Sequence, residues 1–303
     1  MLDEYLKVRR AVGYKLRKDA GLLRRFIDFA DRTGAKFITR ELAVSWAIQP
    51  PESRSWEFRL SAVRRFARYC SATDPRTIVP PSDLLPRRYR RPAPYIYRDK
   101  QITQLLRAAK RLPSSTGLRS HTYTTLFGLY VVTGMRCNEA LQLDRGDVDL
   151  ANGVLTIRST KFDKSRYIPV HPTTKRGLER YATLRDRICR KPASPSFFLS
   201  ERGNRLTQSA VHSTFIKVSC EIGIRQRSDS RGPRIHDLRH RLAIKTLLRW
   251  YRCGVDVEQH LPRLSTYLGH TTVTDTYWYL TSTPELLNCA LQRVERSSRT
   301  VRG

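Results

Sequence analysis

Apolar residues recur at helical spacing through the first 78 positions. Leu2, Tyr5, Leu6 and Val8 share one face of a segment ending near Val12. Leu22, Leu23, Phe26, Ile27 and Phe29 form a second stripe. Thr39 reads as an N-cap, with Glu41 in the first turn of a helix carrying Leu42 and Trp46. Trp56, Phe58, Leu60, Val63, Phe66 and Tyr69 mark a fourth helix. No alternating, strand-like pattern occurs in this stretch, so residues 1–78 are expected to form a small helical domain. Residues 79–97 break the pattern. Pro80, Pro81, Pro86, Pro92 and Pro94 remove donors and favour extended backbone, which predicts a linker.

The pattern resumes from residue 98. Asp99 is placed to cap a helix carrying Ile102, Leu105 and Leu106, and an apolar helix from Tyr123 to Val132 ends at Gly134. Val154 to Arg158 and Tyr167 to Val170 read as two strands around the turn 161–164. Helices are expected near residues 173–187, 207–222, 236–251 and 257–268, then short helices to the end. The last of these, Pro284 to about Ser298, is amphipathic through Leu286, Leu287, Ala290, Leu291 and Val294. The expected fold is mainly α with a small antiparallel β-sheet, in two domains covering 1–78 and 98–303.

Charge changes this picture. Lys and Arg number 57 against 27 Asp and Glu, a formal net charge of +30. So large an excess repels itself in a folded chain unless a polyanion shares the surface, and nucleic acid is the expected partner. The basic residues are spread along the chain, not gathered in a tail. In the first domain, Arg24, Arg25, Arg64, Arg65 and Arg68 interleave with the apolar stripes and are candidates for phosphate contacts. Cys70, Cys137, Cys189, Cys220, Cys253 and Cys289 form no CxxC pair, so zinc-ribbon spacing is absent. With no signal peptide and no apolar run long enough for a membrane span, an intracellular protein with reduced thiols is expected.

Four segments carry candidate chemistry. Arg136 follows Gly134 at a helix start, where free backbone N–H groups favour a phosphate, and Glu139 is three residues on. Lys161 and Lys164 lie in the predicted hairpin turn. His236 and Arg239 are three apart in Ile235-His236-Asp237-Leu238-Arg239-His240 and share a helix face. His236 and His240 also have the spacing of a metal pair. The glutamate of the HExxH motif is missing, however, and an arginine beside a divalent cation is unfavourable. The fourth segment runs from Leu268-Gly269-His270 to Tyr277-Trp278-Tyr279. Taken singly, each has an ordinary reading: a surface ion pair, a solvated turn lysine, a tyrosine packed in a core.

Taken in order, the four segments resemble the tyrosine recombinase, or phage integrase, family: arginine, hairpin lysine, His-x-x-Arg, Leu-Gly-His, tyrosine. The helical N-terminal domain is similar to that family's core-binding domain, on helix pattern and charge alone. The resemblance implies a catalytic domain over 98–303 that cleaves and rejoins DNA through a 3′-phosphotyrosine intermediate, in integration, excision or transposition. It implies Tyr279 as nucleophile, Arg136 and Arg239 on the scissile phosphate, and Lys161 as general acid. It further implies His236 in proton transfer, His270 as a phosphate donor, and Glu139 and Asp237 as supporting residues. Neither cofactor nor metal is implied. The implied partners are double-stranded DNA and further copies of the chain in a synaptic tetramer, with related recombinases as further candidates, in the bacterial cytoplasm on the nucleoid.

The chemistry is consistent with these roles. Two guanidiniums match the equatorial oxygens of a phosphoryl group and stay charged at physiological pH. A phenol of pKa near ~10 needs such surroundings or a base to attack at pH 7. Two assignments stay open. Tyr277 competes with Tyr279, and residues two apart on a helix point about 200° apart, so only one can face the phosphate; spacing from His270 favours Tyr279, with Tyr277 expected to pack. Lys164 competes with Lys161, which the count from Arg136 favours.

Overall fold

The computed structural model describes residues 1–14, 16–49, 55–85, 93–158, 165–229 and 232–300, excepting the side chains of residues 17 and 294–300. The chain divides into two compact units, Met1–Pro92 and Ala93–Gly303.

The first unit contains α1 (Leu2–Ala11), α2 (Arg17–Arg32), α3 (Arg40–Ile48) and α4 (Trp56–Cys70). Its core is the meeting of the predicted stripes: Tyr5, Leu6, Leu23, Phe26, Trp46, Leu60, Val63 and Phe66 are buried together. Phe26 meets Trp46 edge-on at 5.3 Å, a geometry that adds to simple burial. Thr39 caps α3 as expected, accepting from Leu42 N at 3.1 Å. Val8 and Phe58, apolar members of the first and fourth stripes, are about half exposed. Two of the interleaved arginines are engaged within the protein. Arg64 donates to the carbonyls of Pro80 and Pro81, and Arg65 pairs with Asp19. Arg24, Arg25 and Arg68 are exposed. Val79, Leu84 and Leu85 pack on this core, and the basic run 87–91 lies outside the described residues.

The second unit begins with α5 (Asp99–Lys110) and α6 (Leu118–Thr133), followed by α7 (Cys137–Gln142). Asp99 does not cap α5, as the sequence suggested. It is the first helical residue, and its carboxylate pairs with Arg241 and Lys245. The N-cap is Arg98, whose backbone N–H donates to Gln101 Oε1 at 2.9 Å. Two long-range cations compete better for a carboxylate than one local N–H does.

Three short strands follow: β1 (Val148–Asp149), β2 (Val154–Ile157) and β3 (Arg166–Pro169), antiparallel in the order β1-β2-β3. The register pairs Leu155 with Ile168 and Ile157 with Arg166. β1 is too short to show a period in the sequence. The predicted turn, with Lys161 and Lys164, lies outside the described residues. Then come α8 (Pro172–Ile188), α9 (Gln208–Glu221), α10 (Ile235–Arg252), α11 (Val257–Leu268), the one-turn α12 (Thr274–Tyr277), a 3-10 turn Trp278–Thr281, and α13 (Pro284–Thr300). One core gathers α5 to α9 around Phe127, Phe197, Phe198 and Phe215. A second gathers α10, α11, the 3-10 turn and α13 around Leu247, Leu261, Leu268, Tyr279 and Leu286. That second core holds Tyr279 against α10. Among the described residues, no helix is long and apolar enough to cross a membrane.

Candidate active site

Two helix ends build the floor of the site. α6 stops at Gly134 and α11 at Gly269, each with φ near the left-handed value, +60° and +69°. A stopped helix leaves its last carbonyls without intrahelical partners. Arginines from elsewhere in the chain take them. Arg239, on α10, donates from Nη1 to Gly134 O at 2.9 Å and from Nη2 to Leu268 O at 2.6 Å. Arg136, the N-cap of α7, donates to Gly269 O at 2.7 Å. Residues more than 100 positions apart thus share one cluster of carbonyls.

Glu139 ties this cluster together. Its carboxylate accepts from the Arg136 backbone N–H and guanidinium, both at 2.8 Å. On its other side Arg166, from β3, makes a two-pronged contact at 3.0 and 2.8 Å. Burial alone would raise the Glu139 pKa. The bonds and charge of Arg166, then those of Arg136, outweigh it and hold the carboxyl below its ordinary range. Arg166 also reaches Tyr267 O at 3.2 Å. Arg166 is a site residue the sequence reading passed over, because strand-end arginines are common and carry no motif.

Arg239 is 2% exposed. Burial, and after it repulsion from Arg136, lower its pKa to about 10, with Tyr279 and Glu139 acting in the opposite sense. It remains a cation at neutral pH. His236 opens the same helix, one turn before. Withdrawal of water by the surrounding protein, then the Arg239 charge, bring its pKa down to about 4. The residue is nonetheless exposed by surface area, so water screens part of the first effect. Repulsion from Arg239 acts in the same direction, and a neutral imidazole at pH 7 follows from either. Asp237 is buried and accepts from the Arg234 backbone N–H at 2.9 Å and guanidinium at 2.7 Å. It fixes the start of α10, the helix that carries His236 and Arg239.

The tyrosines sort clearly. Tyr279 is 1% exposed and Tyr277 is 48% exposed. The expectation that Tyr277 packs is therefore wrong: the turn buries Tyr279 and leaves Tyr277 outside. The Tyr279 ring lies almost parallel to His270, with centroids 6.2 Å apart and planes 15° apart. His270 Nδ1 meets Thr276 Oγ1 at 2.7 Å, and its backbone N–H donates to Ser265 O. The Tyr279 hydroxyl lies 3.1 Å from Nδ1 of His240, not His236. The spacing points His240 only toward a metal pair with His236, and gives no sign of a contact with Tyr279. Arg136, Glu139, His236, Arg239, His270 and Tyr279 thus fall in one region of the second unit, while Lys161 lies outside the described residues. Among those residues, no group of three or more His, Cys, Asp or Glu side chains could hold a metal.

The phage integrase family matches residues 96–285, a stretch that encloses all of these groups. The chain belongs to the phage integrase family, the tyrosine recombinases. It is 47% identical over 301 residues to a protein of Sinorhizobium fredii (strain NBRC 101917 / NGR234) named as an integrase/recombinase, y4rB, covering 97% of this chain and 96% of that one. A second protein of that strain, named as an integrase/recombinase, y4rE, is 38% identical over 96% of this chain and 94% of its own. Among solved structures, the Tn1549 transposon integrase in complex with transposon right-end DNA has the same fold, with a TM-score of 0.64. That match has 16% identity and covers 97% of this chain and 99% of that one. As a tyrosine recombinase, the chain is an enzyme of DNA strand transfer.

Proposed function

We propose that this recombinase cleaves one strand of double-stranded DNA at a specific site by attack of Tyr279 on phosphorus, forming a 3′-phosphotyrosine, and then rejoins it to a new partner. What carries the reading is the convergence of a buried tyrosine with two cations. Arg239 and Tyr279 are both buried, and the Tyr279 phenol lies close enough to act on the Arg239 charge. Arg136 and Arg239 hold the non-bridging oxygens, exchanging some of their carbonyl contacts for phosphate. Arg239 and Tyr279 are buried, so a docked phosphate reaches them only when the surrounding chain yields, and DNA binding and exposure of the nucleophile are coupled.

Glu139 orients Arg136, and Asp237 orients α10. His270 donates to the phosphate through Nε2, its Nδ1 being held by Thr276. His236, neutral and open to solvent, assists proton transfer at the phosphate. Lys161, in preference to Lys164, protonates the leaving 5′ oxygen, which as an alkoxide is too strong a base to depart unaided. The phosphotyrosine keeps the energy of the broken bond, so rejoining needs no ATP.

Residues 1–78 act as the core-binding domain, 79–97 as the linker and 98–303 as the catalytic domain. Copies of the chain assemble on DNA, as a synaptic tetramer, alone or with related recombinases. Leu287 and Leu291, exposed on α13, give each copy an apolar patch for its neighbour. The site of action is the bacterial nucleoid.

The test is covalent trapping. A nicked duplex carrying the target site is incubated with the protein and run on a denaturing gel. A shifted band is expected for the wild type and Tyr277→Phe and not for Tyr279→Phe. Equal trapping by Tyr279→Phe overturns the assignment.

A further inference from the structure

His240 is the histidine in contact with the reacting oxygen. Its Nδ1 lies 3.1 Å from the Tyr279 hydroxyl, within proton-transfer distance. Both residues are buried, at 2% and 1% exposure. They also sit on elements that pack on each other. Ala243, Ile244 and Leu247 of α10 share a core with Tyr279, and Trp278 and Leu280 pack against it. The contact is therefore part of how the 3-10 turn is seated. His236, four residues earlier, touches the His240 ring edge-on at 4.7 Å, and its exposed edge suits it to the phosphate side.

We propose that His240 is a catalytic residue, the base that takes the Tyr279 proton during cleavage. The inference rests on Tyr279 being the nucleophile, as read above. The Tyr279 Oη–P bond forms as the P–O5′ bond breaks. The Oη proton passes to His240 Nδ1, and O5′ receives a proton from a separate acid, for which Lys161 is the candidate. In rejoining, a 5′ hydroxyl attacks phosphorus and returns its proton to that acid. The P–Oη bond then breaks, and His240 gives its proton back to Oη. The role needs His240 neutral with its ring proton on Nε2, so that Nδ1 offers a lone pair.

The surroundings make this base conditional. His236 and Arg239 flank His240 on α10, with Asp237 turned to Arg234 at the helix start; Tyr279 and Trp278 face it from the 3-10 turn. A phosphate held by Arg136 and Arg239 would bring negative charge toward His240 and Tyr279, and a nearby anion favours an imidazolium. Proton transfer is then favoured when the substrate is in place.

Single-turnover cleavage decides the matter. The substrate is a nicked duplex of the chain's own target, obtained by sequencing DNA recovered covalently attached to the wild-type protein. His240→Asn keeps an acceptor oxygen near the Nδ1 position but has no basic nitrogen, so it preserves positioning and removes the base. The expected result is a cleavage rate about 100-fold lower at pH 7, rising with pH where the wild type levels off, with DNA affinity within about twofold. A His240→Asn rate within about threefold of wild type, at matched affinity, overturns the role. If His240→Asn fails to bind DNA, the wild-type rate profile decides. An acid limb in the histidine range supports the role, and its absence overturns it. Tyr279→Phe run alongside separates the two readings. Trapping that survives in Tyr279→Phe overturns the nucleophile itself. Trapping lost there, with His240→Asn at wild-type rate, overturns only the base.

Discussion

At the scale of single residues, Glu139 does the most for the site without being placed to touch substrate. It is 9% exposed and lies between two guanidiniums. Removing the charge leaves two cations facing each other with reduced compensation, and breaking a buried pair typically costs about 3–5 kcal/mol. Glu139→Gln keeps the shape and some hydrogen bonding, so the low end, about 3 kcal/mol, is expected in urea unfolding, with a larger proportional loss of cleavage than of DNA affinity. pH gives an independent reading. The folded-state pKa of Glu139 is depressed, so its stabilisation is fully present above the unfolded value and is lost as pH falls through the folded one. Wild-type stability should decline below about pH 4.5, the ordinary glutamate range, and the decline should be shallower in Glu139→Gln. Parallel pH profiles would assign the acid sensitivity elsewhere.

At the scale of elements, the site is made from helix ends. Gly269 shows how tightly. Its φ is +69°, and a Cβ there would stand 2.5 Å from Arg166 Nη1. Gly269→Ala should cost about 1–2 kcal/mol from backbone handedness, and should also displace Arg166 from Glu139. Thermal unfolding and cleavage rate should fall together; an unchanged cleavage rate would show that the Arg166 contact does not support the site. The same elements mark what could be read in the chain. The glycines ending α6 and α11, the His-x-x-Arg pair and the Thr39 cap were legible because each is local, set by dihedral preference or by spacing along one helix. Arg166 and His240 were not legible as site residues. Their roles depend on which distant carbonyl or hydroxyl the fold brings to them, and no spacing within β3 or α10 encodes that. Asp99 was misread for the same reason, since a good local cap lost to two distant cations. Tyr277 was misread because the 3.6-residue period separates the two tyrosines without saying which one faces inward.

At the scale of the molecule, a net charge of +30 dominates behaviour toward DNA. If the surface neutralises some 6–10 phosphates, affinity should fall by about 10³–10⁵ between 50 and 200 mM salt. An affinity that barely changes across that range would remove the electrostatic argument. Charge brings any DNA to the surface, however, and the proposed attack by Tyr279 is what would make the encounter a recombination. The most direct measurement is mass-spectrometric mapping of the covalent protein–DNA adduct after protease and nuclease digestion. The account predicts a nucleotide 3′-phosphate on Tyr279 and on no other residue. A nucleotide on the exposed Tyr277, or no covalent adduct with any target duplex, would contradict it.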